Sequence, residues 1–287
     1  MGRTFSNSWN LIKASYNVLR SDRELLLFPL ISMIGVLLVT AVFSVPFLLT
    51  GLFTSVTSGE ATGGQTAIGV VLLFLFYLVM YTIIIFSNVA LVGAAMMRLR
   101  GEDPSVSDGF RIATSHLPQI FGYAAISATL GVVLNVLRGE DNLIGRIVAG
   151  LINFAWNLVT FLVVPVLVME NIGPIDAIKR SGGLLKKTWG EQLVSTGGMG
   201  LVFGLITLGV ILVVCVPLIV LAAATSSVLL ILVAVPVTIV LVSLIGLFSS
   251  ALNGVFQAAL YNYATTGNSG QYFDQNLLAG AFRNKKR

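Results

Sequence analysis

Between Glu191 and Asp274 the chain carries no Asp, Glu, Lys, Arg or His. About 20 consecutive apolar residues cross the hydrocarbon core of a bilayer as a helix, so this one gap holds two spans. The apolar density recurs elsewhere: 56% of the 287 residues are hydrophobic and 10% are charged. A soluble domain carries about 25% charged residues. The fold class that follows is all-α and membrane-spanning.

The apolar runs predict six spans, 25–52, 67–97, 117–137, 147–170, 192–224 and 228–262, with the last two separated at Ala224-Thr225-Ser226-Ser227. Several exceed the minimum length, which permits tilt or kinks. Pro46, Pro165, Pro217 and Pro236 fall where neighbouring helices re-satisfy the freed carbonyls.

Lys and Arg set the orientation, because they concentrate in cytoplasmic segments. With the N-terminus inside, fifteen of them fall inside, and only Arg138 and Arg146 fall outside. Both termini are therefore expected in the cytoplasm. The formal charge of +5 then reflects topology and contact with anionic lipid, not nucleic acid. Cys215 is the only cysteine, which excludes an intrachain disulfide and a thiolate metal site. A polar, aromatic-spaced segment precedes the first apolar run, so the N-terminus does not read as a signal peptide. Met1-Gly2 with Ser6 fits a myristoylation pattern that six spans do not need.

Three short amphipathic stretches stand at the inner ends of the spans. In residues 5–20, Phe5, Trp9, Ile12, Tyr16 and Leu19 recur at helical spacing and predict one apolar stripe on the inner surface. After the turn Gly101-Glu102-Asp103-Pro104, Asp108 is expected to cap a helix with Phe110, Ala113, Leu117 and Phe121 on one face. In 174–193, Ile175, Ile178, Leu185 and Trp189 are expected on one side, with Lys179, Lys186 and Lys187 away from it. Gly182-Gly183 is expected to weaken this third helix midway.

The three stretches align. Matching Asp176 with Asp108 pairs Ile178 with Phe110, Lys179 with Arg111 and Trp189 with Phe121. Matching Ser181 with Ser15 pairs Ile178 with Ile12, Lys179 with Lys13 and Leu185 with Leu19. The chain thus reads as a single membrane domain, 1–287, made of three parallel repeats near 1–100, 101–171 and 172–287, each a surface helix followed by two spans. Asn88 and Asn253 open similar stretches in the second span of their repeats, and Asn157 lies at a comparable place in span 4. Asn88 is ten residues before Arg98, about 15 Å inward along a helix.

These amides are the candidate polar cluster: Asn88, Asn153, Asn157, Asn253 and Gln257. One reading makes them a pathway for a solute or lipid headgroup around a shared axis. The weightier reading makes each a cross-helix hydrogen bond worth about 0.6–2 kcal/mol. The candidate lipid-surface cations are Lys13, Arg111, Lys179, Arg180, Lys186 and Lys187. Glu170 is expected to pair with Arg98 or Arg100 or to stay solvated, and His116 to be a partly wet interfacial histidine. Gly200-x-x-x-Gly204 allows close helix approach. No nucleophile and base pair, metal-ligand set or phosphate-binding loop is present, so neither an enzyme nor a cofactor or metal site is expected.

Several local patterns carry a resemblance. Phe28-Pro29 after Arg23-Glu24-Leu25-Leu26, then Gly101-Glu102-Asp103-Pro104, Pro165 to Glu170, Pro174, Ala177, Arg180-Ser181 and Thr188-Trp189-Gly190-Glu191 resemble an uncharacterised family of multi-pass membrane proteins of bacteria and archaea. The likeness covers most of the chain and implies a prokaryotic cytoplasmic membrane. A looser likeness exists to the membrane portion of some glycerophosphodiester phosphodiesterases, whose soluble catalytic domain this chain lacks.

Two functions are expected from these features. The first is a non-enzymatic scaffold or accessory protein whose basic face binds anionic lipid and a protein partner or second copy. The second is a channel or permease for a small solute, lined by spans 2, 4 and 6.

Overall fold

Backbone N–H and C=O groups find no partner in hydrocarbon except one another, so long apolar runs fold as helices. The computed structural model describes residues 2–49, 63–139, 143–189, 198–225, 228–268 and 271–273, and among these every regular element is helical. Helix α1 spans Gly2–Ser21, and a 3-10 turn, Arg23–Leu26, leads into α2, Leu27–Leu49. Then follow α3 (Gly63–Leu99), α4 (Val106–Ser115), α5 (Leu117–Gly139), α6 (Leu143–Val159), α7 (Val163–Glu170) and α8 (Pro174–Trp189). Helix α9 (Gly198–Val210) passes through a π-turn (Ile211–Cys215) into α10 (Val216–Thr225), and α11 runs over Val228–Thr266.

Among the described residues, five helices are long and apolar enough to cross a membrane: Arg23–Val45, Ala67–Leu99, Leu117–Leu137, Leu143–Glu170 and Pro236–Thr266. They coincide with five of the six expected runs. The remaining one, 192–224, corresponds to α9, the π-turn and α10, where Phe203–Leu218 forms a shorter apolar helix. Residues 50–52, 192–197, 226 and 227 of the expected spans and breaks lie outside the described residues.

Hydroxyls inside the apolar helices are satisfied locally: Thr40, Thr82, Thr129 and Thr207 each donate to the carbonyl four residues back. The long helices also divide along their length. In α3, Val89, Ala90, Leu91 and Val92 are buried while Val70, Val71 and Leu75 are exposed. In α11, Val255, Ala258 and Ala259 are buried while Ile239, Val240 and Leu244 are exposed. An exposed apolar band of this kind belongs in lipid.

The chain divides into two compact units. One comprises Met1–Pro29, Ala95–Asp103 and Thr188–Arg287, in which α1 packs along α11 and α9. The other comprises Leu30–Ala94 and Pro104–Lys187. Here α2 and α3 meet at Gly35, where an added Cβ would lie 2.9 Å from Ile83, and at the edge-to-face pair Phe43–Phe76. Helices α5 and α6 form a tight hairpin: a Cβ on Gly145 would come within 2.7 Å of the Leu137 carbonyl. The close approaches therefore fall at Gly35, Gly93, Gly122 and Gly145. Gly204, expected to admit a neighbour, has nothing within 4 Å.

Candidate functional site

The basic residues singled out by the sequence sit on α1, α4 and α8. On each of these helices part of the expected apolar stripe is buried and part is exposed.

On α1, Ile12 and Leu19 are buried as expected, together with Leu11, Ala14, Ser15 and Val18. Trp9 and Tyr16, assigned to the same stripe, are instead 44% and 50% exposed. They share the outer face with Lys13, Asn17 and Arg20. The Lys13 Nζ lies 5.9 Å from the centre of the Trp9 ring, a cation–π contact. The side chains of Arg3 and Phe5 lie outside those described.

The α4 start is a capping box, but Ser105 is the cap, not Asp108. Ser105 Oγ accepts from the Asp108 N–H, and Asp108 Oδ2 accepts in return from the Ser105 N–H at 3.0 Å. The Ser105 hydroxyl, donating to Asp108 Oδ2 at 2.7 Å, and then the Ser105 N–H hold the Asp108 carboxyl below its ordinary 3.8. Asp108 Oδ1 also pairs with Arg111 at 2.7 Å. The expected face of Phe110, Ala113, Leu117 and Phe121 breaks at His116, which ends α4 with its Nδ1 2.8 Å from the Ile112 carbonyl oxygen. Leu117 and Phe121, in α5, are exposed. Helix α4 seats on α3: Phe110 stacks at 5.9 Å on Phe86, and Gly93 lies directly under Ile112.

On α8 the buried residues are Ala177, Ser181, Leu184 and Leu185, while Ile175 is 60% exposed. Of the expected side, Leu185 is thus buried and Ile178 half-buried, and the small residues Ala177 and Ser181 complete the buried face. The helix runs unbroken through Gly182-Gly183, and Gly182 faces Val159 at 3.5 Å for an added Cβ. Ser181 explains the seat. The helical run from α6 to α7 is interrupted at residues 160–162, just before Pro165, a residue that leaves the carbonyl four positions earlier without its N–H. The Leu162 N–H in that break donates to Ser181 Oγ at 3.0 Å, fully buried.

Glu170, expected to meet Arg98 or Arg100 or to stay solvated, pairs instead with Arg180, whose Nε lies 2.9 and 3.1 Å from its two oxygens. The left-handed turn at Asn171 (φ 47°) brings α8 back beside α7 and makes this pairing local. Asn171 Oδ1 accepts from Gln119 Nε2 at 3.0 Å. Lys179 lies 3.4 Å from Asp176, and Lys186 is exposed. The Lys187 side chain lies outside those described.

Arg98 has a different task. It bonds Asp103 at 2.7 Å, the Glu102 carbonyl, and both the Oγ and the carbonyl of Ser21, tying the end of α3 to the end of α1. Beside it Asp22 is buried, and burial raises its carboxyl above 3.8 against the opposing Glu24 N–H and Arg98 charge. A polar groove of about 590 Å³ opens nearby, lined by Leu99, Arg100, Asn262, Thr266, Asn268 and Gln271. No sequence pattern pointed to this groove, because its walls come from helix ends far apart in the chain.

The candidate amides lie in α3 (Asn88), α6 (Asn153, Asn157) and α11 (Asn253, Gln257). Asn157 Nδ2 donates to the Asn153 carbonyl at 2.8 Å, and Asn253 Nδ2 to the Ser249 carbonyl at 2.9 Å. Both bonds stay within one helix instead of crossing to a neighbour. Asn88 is half-buried. Among the described residues no cluster of His, Cys, Asp and Glu has the makings of a metal site.

No curated protein and no solved structure matches the chain, and no link to glycerophosphodiester phosphodiesterases emerges. A family model does match, over residues 67–272. That range takes in most of the apolar helices and both α4 and α8. The chain belongs to the family of unknown function DUF6159.

Proposed function

We propose that this is a non-enzymatic integral protein of the prokaryotic cell membrane, with six spans and both termini cytoplasmic. Its basic amphipathic helices bind anionic lipid and partner proteins at the cytoplasmic face. In this reading α9, the π-turn and α10 make the fifth span, and three repeats (1–100, 101–171, 172–287) build the domain.

One observation carries the reading: the three amphipathic helices are seated alike. The alignments that match Ser181 with Ser15 and Asp176 with Asp108 put Ser15, Ala113 and Ser181 at one position, and each is fully buried. Each helix rests on the last long helix of the preceding repeat: α4 on α3, α8 on α6 and α7, and α1 on α11. The side chains turned outward include Lys13, Arg111, Lys179 and Lys186. A small residue inward and a cation outward is what a helix needs to lie flat between protein and headgroups.

The test uses the purified full chain in detergent, then in vesicles. Dioleoyl phosphatidylglycerol is expected to raise the melting temperature more than phosphatidylcholine does, and the vesicles to leak no small solute above the protein-free level. Equal melting temperatures in the two lipids overturn the reading. Solute flux that disappears in the triple variant N88L/N157L/N253L would replace it with a pore.

A further inference from the structure

The candidate cations differ in their ion pairs. Arg111 is held by Asp108, Lys179 by Asp176 and Arg180 by Glu170. Lys13, Arg20 and Lys186, in contrast, make no ion pair among the described residues, and of the three helices only α1 contains no acidic residue. The α1 face of Lys13 and Arg20 also carries the two exposed aromatics, Trp9 and Tyr16. Positions 9, 13, 16 and 20 follow one another at steps of four and three, so they form a single strip of alternating ring and cation. Opposite them, Leu11, Ser15 and Val18 fix the helix to protein, so the strip cannot roll inward.

We infer that this strip of α1 is a binding site for an anionic phospholipid headgroup. The phosphate lies between Lys13 and Arg20, and the Trp9 and Tyr16 rings lie at the depth of the glycerol and first methylenes. Amphipathic rings prefer that depth, and each cation near an anionic surface favours it by about fivefold. The Trp9–Lys13 contact holds the ammonium on the outer face, ready for the phosphate. The inference rests on the anionic-lipid reading above but places the binding on one helix of three.

The test compares two pairs of charge removals in the full chain. K13Q/R20Q removes two cations without an ion pair among the described residues, and R111Q/K179Q removes two paired ones, with the same change in net charge. In a W156F/W189F background reconstituted into nanodiscs, Trp9 reports quenching by lipid nitroxide-labelled near the headgroup. Labelled phosphatidylglycerol is expected to quench through an association about fivefold or more tighter than labelled phosphatidylcholine. That ratio is expected to fall to near one in K13Q/R20Q and to stay above half its original value in R111Q/K179Q. Because the ratio compares two lipids, the loss of the Lys13 contact with Trp9 cancels. If the two Phe substitutions unfold the protein, the same comparison is read from the extra rise in melting temperature that phosphatidylglycerol gives over phosphatidylcholine. A ratio retained in K13Q/R20Q, or equal loss in both variants, overturns the assignment to α1. No preference for phosphatidylglycerol in the unsubstituted charges would instead overturn the anionic-lipid reading itself.

Discussion

One hydroxyl holds the break between α6 and α7. Ser181 Oγ takes the Leu162 N–H that the interrupted helix leaves over, in a fully buried place. Removing an acceptor from a buried N–H costs about 1–3 kcal/mol. S181A is therefore expected to lower the melting temperature by several degrees in detergent, and an unchanged transition would show that the break is held elsewhere. Asp22 gives a second residue-scale expectation. Burial raises its carboxyl, so the folded protein holds that proton more tightly than the unfolded chain. The stability this brings is complete below 3.8, the ordinary value, and is lost as pH rises through the raised one. D22N keeps an oxygen for the Glu24 N–H and has no such loss. Its melting temperature is expected to climb relative to the wild type from about pH 4 upward and then level off. A difference independent of pH would contradict it. Neither residue could be read from the chain alone. Ser181 is an ordinary serine until the Leu162 break is placed beside it, and Asp22 is a boundary residue until α1 and Arg98 close over it.

At the scale of elements, the periodicity located α1, α4 and α8 but did not tell which members of each stripe are buried against protein. The reason is physical. In water the apolar side of a helix turns to protein, whereas at a bilayer lipid competes for it and small residues win the protein contacts. Ile175, Trp9 and Tyr16 are accordingly exposed, while Ser15, Ala113, Ala177 and Ser181 are buried. The charges were legible as a group but not as pairs. Glu170 reaches Arg180 only because the Asn171 turn folds α8 back. The glycines mislead similarly, since a GxxxG spacing in α9 meets no neighbour at Gly204, and the unremarked Gly93 carries α4. It follows that Ala177 tolerates no growth. A177L is expected to cost about 1–3 kcal/mol by overpacking, while I175A changes stability by less than about 0.5 kcal/mol. Thermal unfolding of the two variants checks this, and the reverse order would restore the original face.

At the scale of the whole molecule, length and hydropathy sufficed for the apolar helices, because crossing hydrocarbon admits few solutions. The region 192–224 resisted. Its helix is divided by a π-turn beside Pro217, a local event without a signature in average hydropathy. The reading we favour has each amphipathic helix resting on the closing helix of the repeat before it, and the first on the last. That arrangement requires Lys13, Arg111 and Lys186 to face the same side of the membrane. Cys215 is the only cysteine, so C215A supplies a background free of thiols. The direct measurement is labelling of K13C, R111C and K186C in that background, in intact cells, with an impermeant maleimide, beside R146C as the outward control. The expected result is labelling of R146C alone, with the other three reacting only after the membrane is opened. Labelling of any of the three from outside would contradict the account.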